Sequence, residues 1–276
     1  MKNYKLSDET KTATFGTVLH RVVATTTFTL ACGVTINAGD VGGWIENESN
    51  LSDNAWVSDN ATVFDNAWVS GGAMVFGDAK VFGNALVSGD AQVSGDAWVF
   101  GNAKVFGDAK VHDDATVSGD ARVYGYALVS GSAQVYGNAK VYGNALVYSN
   151  AQVSGDAQIC DKAKVCGYAL VSGSARVFGN AHVSGKAKVH GEALVSDNAE
   201  VYGDAKIMNA SDCVVFKNNW SSGRYFTWTK SNDKWTVGCF YGTGDELIKK
   251  AYADSEDNGK HYEACVKSVE TLKNVE

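Results

Sequence analysis

The side chains able to do chemistry fall into three groups. The first is histidine: His112, His182 and His190 sit at outward positions of a repeat, and His20 and His261 lie outside it. A histidine can act as a general acid or base when it is held beside a substrate pocket. Here each of the three repeat histidines stands where Phe, Ser or Lys stands in equivalent units, the pattern of a surface substitution, so no catalytic residue is assigned. His20 and His261 are expected to be structural or solvated. The second group is six cysteines, Cys32, Cys160, Cys166, Cys213, Cys239 and Cys265, without a CxxC pair or a Cys/His cluster suited to zinc. Free thiols, no metal site and no cofactor are the expectation. The third group pairs cations with aromatics: Lys104, Arg122, Lys140 and Arg176 in one column and Phe106, Tyr124, Tyr142 and Phe178 in the next. Such a stripe can hold a partner or an anionic ligand through charge and ring faces. Stacked rings also stabilise a sheet as cross-strand ladders, each pair worth about 0.2–1 kcal/mol.

The element that positions these residues is a six-residue repeat. Alanine recurs at every sixth position from Ala55 to Ala205, and Val follows two residues later, replaced only by Ile159 and Ile207. The unit Ala-x-Val-y-Gly-Asp/Asn reads as a short strand with Ala and Val inward and x and y outward. Gly-Asp or Gly-Asn supplies a corner, because these residues tolerate the left-handed backbone region. A 3.6-residue helical period would carry the alanines out of register, which excludes helix. One strand cannot bury its own inner face, whereas coils stacked at ~4.8 Å do so and pair every backbone. Weaker copies extend the register at Ile45 and Leu51, and at Ser211 and Cys213. The absence of Pro fits, since Pro in an interior strand removes a ladder hydrogen bond.

This register resembles the hexapeptide repeat of left-handed parallel β-helices, in which three units make one triangular coil of 18 residues. The resemblance implies eight to nine coils and a prism roughly 40 Å long at ~4.8 Å per coil. Residues 18 apart then stack, which builds the Lys104–Arg176 stripe, with Cys160 interrupting its rings. A second face carries Phe64, Phe82 and Phe100 beside Lys80 and Trp98, and Trp56 and Trp68 add apolar surface. Corner acids such as Asp78, Asp90, Asp96, Asp108 and Asp120 read as solvated turn residues. The segments Arg122–Val147 and Lys164–Val189 are similar at a shift of seven units. Seven is not a multiple of three, so a copied segment turns onto another face. A length-setting scaffold survives that rotation; a face-specific repeated site does not.

The 276 residues carry a net charge of −7, with 45% hydrophobic residues and a pI of about 5.3. That argues against a globally basic nucleic-acid binder and against wholesale disorder. No apolar stretch approaches a membrane span, and no secretory signal is read at the start, so a cytoplasmic location is expected. Three parts are expected: a β-rich N-terminal cap over 1–48, the repeat column over 49–213, and a C-terminal β-hairpin with two helices over 214–276. In the last, Tyr225–Trp228 and Trp235–Phe240 flank Ser231-Asn232-Asp233 as a hairpin. Thr243-Gly244-Asp245-Glu246 forms a capping box opening one helix. Tyr262, Cys265, Val266, Val269 and Leu272 share one face of a second helix, which begins near Asp257 or Asn258.

The runs Tyr4–Thr10, Leu19-His20-Arg21, Gly39-Asp40-Val41-Gly42-Gly43-Trp44-Ile45 and Leu51-Ser52 are similar to hexapeptide-repeat proteins of gut bacteria and their phages, often labelled acetyltransferases. The tail Gly238–Thr243 with its acidic helix resembles phage-associated members. Acyltransferases of this fold are trimers with a catalytic His and loops extruded from the coils. Here no unit is interrupted from Ala55 to Ala205, so no loop is extruded. The fold class is therefore an all-β solenoid, and the leading function is a non-enzymatic scaffold in a bacterial or phage-infected cell. It would present its end modules or the Lys104–Phe178 stripe to a protein partner, to itself (as a homotrimer) or to a small anionic ligand. No membrane and no sequence-specific nucleic acid are expected. An acyl-CoA-dependent acetyltransferase-like enzyme is a second reading. A phage-encoded protein sequestering a host protein or an anionic nucleotide is a third.

Overall fold

Each six-residue unit folds as a short strand followed by a corner, and the corner chemistry decides where the strand stops. In the computed structural model, residues 2–13 and 16–273 are described. Twenty-six short strands, β6 to β31, run from Trp56–Val57 to Lys206–Ile207, most of them two residues long. Each pairs in parallel with the strand 18 residues away, as Arg122 does with Lys140 and Leu128 with Leu146. Between strands the backbone turns through positive φ, at +72° for Gly101 and +58° for Asp113. Glycine suits this corner for a second reason. A Cβ on Gly119 would lie 2.9 Å from the Gly137 nitrogen in the next coil.

The result is a column of about nine coils whose walls are three sheets of twelve, eight and nine strands. Every repeat Ala and every Val or Ile two residues later is at most 1% exposed, so these side chains form one continuous core. Backbone amides along the walls donate to the next coil, as Arg122 N–H does to the Ala139 carbonyl at 2.9 Å. No loop is extruded between Trp56 and Ile207.

The N-terminal segment is continuous with one wall. It contains β1 (Tyr4–Thr12), β2 (Val18–Ala24), β3 (Phe28–Thr29), β4 (Thr35–Ile36) and β5 (Val41–Ile45). β1 and β2 are antiparallel, β2 pairs with β5, and β5 joins the Thr62–Val63 strand in parallel, completing the twelve-stranded sheet. The junction obeys the 18-residue register, with Trp44 opposite Thr62 and Leu51 opposite Val69. This cover buries Trp56 to 3% exposure with Phe28 edge-on to it at 5.8 Å. Trp56 is therefore core rather than the apolar surface its outward position suggests. Phe64 is likewise buried, against Leu19 and Trp44. Trp68 is exposed, as expected.

At the other end the register stops earlier than Ser211 and Cys213 suggest. Ala210–Asp212 form a 3-10 turn, and Cys213 starts β32 (Cys213–Lys217), which runs antiparallel to β33 (Tyr225–Thr229). β34 (Lys234–Val237) and β35 (Phe240–Gly242) complete a four-stranded sheet. The run 235–240 is thus two strands, because Gly238 turns the chain at φ +56°. Helices α1 (Gly244–Asp254) and α2 (Glu256–Lys273) follow. α1 opens on the expected capping box, with Thr243 and Glu246 each accepting the other's backbone N–H. Tyr262, Val266 and Val269 of α2 are buried against Phe226, Trp235 and Leu247, and Cys265 packs partly against them. Leu272 is 60% exposed, at the rim of the groove between α2 and β32.

The last coil leaves backbone donors without a next coil, an edge that must be closed. Side chains of the C-terminal module close it. Glu200 N–H donates to Thr227 Oγ1 at 2.9 Å and Lys206 N–H to Ser231 Oγ at 2.7 Å. Met208 N–H donates to Asp212 Oδ2 at 2.7 Å.

Candidate binding face

The eight-stranded wall brings the cation and aromatic columns together. Lys104 pairs with Arg122, Arg122 with Lys140, Lys140 with Gln158 and Gln158 with Arg176, so the cations climb one wall at the strand spacing. Beside them Phe106 and Tyr124 stack with ring centroids 4.9 Å apart, and Tyr124 and Tyr142 at 5.0 Å, in both cases with nearly parallel ring planes. Their strands are lengthened to four residues, Lys104–Gly107 and Arg122–Gly125, because the ladder continues through the ring positions. Above Tyr142 the small, buried Cys160 breaks the stack. A hydrogen bond with this thiol, together with burial, pushes the Tyr142 phenol up to about 12. Phe178 resumes the column, with the Arg176 guanidinium 5.4 Å from its ring centroid. The rings are half-buried, and Lys104, Arg122 and Arg176 are exposed.

Charge is segregated around the column. From Trp56 to Leu194 the x positions hold Lys or Arg but no Asp or Glu, while the acids stand at corners. Corner acids are tied into ladders of their own: Asn60 Nδ2 donates to Asp78 at 2.7 Å, and Asn102 Nδ2 to Asp120 at 3.0 Å. Among the described residues no carboxylate lies within ion-pair distance of Lys104, Arg122, Lys140 or Arg176. An anionic partner would meet these cations without having to displace a protein counter-ion.

The second aromatic face also forms, with Phe64, Phe82 and Phe100 stacked at 5.1 and 5.0 Å and Lys80 lying 4.6 Å from the Trp98 ring. It is partly covered where β1 and β2 fold across Phe64, leaving a recess of about 320 Å³ that includes Lys11, Thr62, Lys80 and Trp98. An apolar groove of about 550 Å³ lies between β32 and α2, beside the exposed Trp220. Neither cavity touches the stripe on the eight-stranded wall.

The histidines fall into distinct settings. His112 Nδ1 lies 3.1 Å from Asp113, and His261 lies 3.6 Å from Asp257 on α2. His20 Nδ1 lies 3.4 Å from the Ser7 carbonyl. His182 differs: it is partly buried, and both its ring nitrogens have side-chain partners, Cys166 and Tyr202. Sequence reading passed over that contact because the partners are 16 and 20 residues away, on the diagonals of the 18-residue register. The signal available was a Cys and a Tyr at y positions on either side of a His at an x position. All six cysteines are free thiols, and no cluster of three or more metal-ligating side chains occurs among the described residues. Among the same residues no helix is long and apolar enough to cross a membrane.

Residues 55–71, 79–95, 115–131, 133–149 and 139–155 match a family model described as the YdcK Beta solenoid repeat. The chain is a β-solenoid repeat protein. No curated protein matches it. The matched segments of the solenoid include Arg122, Tyr124, Lys140 and Tyr142 from the stripe; Lys104, Phe106, Arg176 and Phe178 lie outside them.

Proposed function

We propose that this β-solenoid is a non-enzymatic scaffold that presents the basic and aromatic stripe of its eight-stranded wall to an anionic partner, either an acidic protein surface or a small anion. The observation that carries the reading is the run Lys104, Arg122, Lys140 and Arg176, held on a rigid wall without counter-ions beside half-buried rings. Rings and cations side by side can hold an anion through charge while the ring faces exclude water. The even column supports a scaffold over an enzyme, since it has no extruded loop to build a pocket around a histidine. Left-handed winding, assembly as a homotrimer and a cytoplasmic setting in a bacterium or phage-infected cell belong to the same proposal. They rest on the likeness of the six-residue unit and the N-terminal runs to hexapeptide-repeat columns.

The test is capture of a partner by the intact chain from bacterial lysate, identified by mass spectrometry, and compared with Arg122→Ala and Lys140→Ala. The proposal expects one species whose binding both substitutions weaken. Unchanged capture by both variants would overturn the stripe as the binding face, and a rise in melting temperature with acetyl-CoA would favour the acyltransferase reading.

A further inference from the structure

The nine-stranded wall holds a second grouping that the scaffold reading does not use. Cys166 stands at a y position, His182 at the x position one coil on, and Tyr202 at the y position of the coil after that. Ser184, directly above Cys166 in its column, is small enough to let the imidazole lean across it. His182 Nε2 lies 3.3 Å from Cys166 Sγ, and Nδ1 lies 2.9 Å from Tyr202 Oη. The Tyr202 ring meets the imidazole edge-on at 5.2 Å, which fixes its plane. In the tautomer that carries its proton on Nδ1, Tyr202 Oη accepts that hydrogen bond and the Nε2 lone pair faces the thiol. Burial, then the nearby Lys164, lowers the His182 pKa and keeps the ring neutral and able to accept a proton. The Tyr148 phenol also neighbours Cys166, and its pKa is pushed up to about 12 by the thiol and by burial. Lys164 and Glu200 are the charged neighbours of His182 along the sheet.

A nucleophile, a base within hydrogen-bond reach and a third group orienting that base form the arrangement that activates thiols. We propose that Cys166 is a base-activated thiol which hydrogen peroxide oxidises to a sulfenic acid, with His182 as the base and Tyr202 as its positioning residue. The site admits only a small reagent, because Cys166 is 9% exposed between its two aromatic neighbours. His182 Nε2 takes the thiol proton, and the sulfur attacks one peroxide oxygen as the O–O bond breaks. The departing hydroxide recovers the proton from His182 and leaves as water. Sulfur loses two electrons and peroxide gains them, so the products are one sulfenic acid and one water.

The column carries its own control. Cys160 is 5% exposed on the eight-stranded wall and is also hydrogen-bonded to a tyrosine, Tyr142, but it has no histidine partner. The experiment exposes the intact chain to hydrogen peroxide for timed intervals, removes the peroxide with catalase, unfolds the chain in dimedone, which traps sulfenic acid, and measures both sites by peptide mass spectrometry. Labelling at Cys166 is expected to be at least about tenfold faster than at Cys160, the scale on which a positioned base acts on a thiol. His182→Gln should bring the two rates together, and Tyr202→Phe should lower the ratio without abolishing it. Comparing two sites within one molecule removes any general loss of stability from the readout. Equal rates in the unaltered chain, or a Cys166 rate untouched by His182→Gln, would overturn the proposal.

Discussion

The column and the C-terminal module solve burial in opposite ways. The column fills its interior with Ala and Val, with Ile only at 159 and 207, and relies on a backbone paired above and below at every coil. The module fills a smaller interior with large, individual side chains, Phe226, Trp235, Leu247 and Tyr262, whose rings meet edge-to-face at 4.7 to 6.3 Å. In the column beyond the N-terminal cover, position in the period decides what forms the core, so the outward residues are free to change without altering the fold. In the module each buried ring has one particular neighbour, and loss of one is not shared among equivalents. The column's walls therefore tolerate variation that the module's rings do not, and side chains of the module accept backbone donors of the last coil.

Four substitutions and one titration would break or sharpen that contrast. The largest effect is expected from Ala121→Asp, which places an unpaired carboxylate among side chains with no exposure. A cost of more than about 5 kcal/mol is expected, with loss of the cooperative β signal in thermal circular dichroism. Trp235→Ala should cost about 3–5 kcal/mol but act locally. Amides of the module's sheet and helices should exchange hydrogen faster while those of the column keep their protection, read by hydrogen-exchange mass spectrometry. Gly119→Val combines a left-handed backbone, φ +66°, with a Cβ against the next coil, and should cost about 1–3 kcal/mol. The reverse change at an equivalent corner, Asp113→Gly, should stay within about 1 kcal/mol, because relief of φ +58° offsets the lost 2.9 Å bond from Gly131 N–H. Chemical denaturation of the pair measures both.

The smallest effect is the pH dependence contributed by His182. Its pKa in the folded column lies below the ordinary 6.5, chiefly through burial. The unfolded chain therefore binds a proton that the folded chain does not, and stability from this group is complete above 6.5 and is lost as pH falls towards the folded value. Melting temperatures from about pH 7.5 down to pH 5 should show this slope in the unaltered chain and a shallower one in His182→Gln.

What was legible in the sequence follows the same divide. The period of Ala and Val specified the strands, while the 18-residue register came from the resemblance to hexapeptide-repeat columns, and once it was taken both aromatic stacks followed by counting. Burial of Trp56 was not legible, since Phe28 reaches it from a segment outside the period. The turn at Gly238 hid inside a run of strand-forming residues, and the 3-10 turn at Ala210–Asp212 interrupted a spacing that still looked regular. The Cys166–His182–Tyr202 contact lies on diagonals between coils, where a reading by columns does not look.

The central claim is that recognition belongs to one wall rather than to net charge, and a matched pair of triple variants tests it most directly. Lys104→Glu/Arg122→Glu/Lys140→Glu reverses the stripe, and Lys110→Glu/Lys164→Glu/Lys188→Glu makes the same charge change on the other two walls. Partner affinity, measured by calorimetry on the captured species, should collapse for the first variant and stay close to the original for the second. Equal losses in both, or a loss confined to the second, would contradict the account.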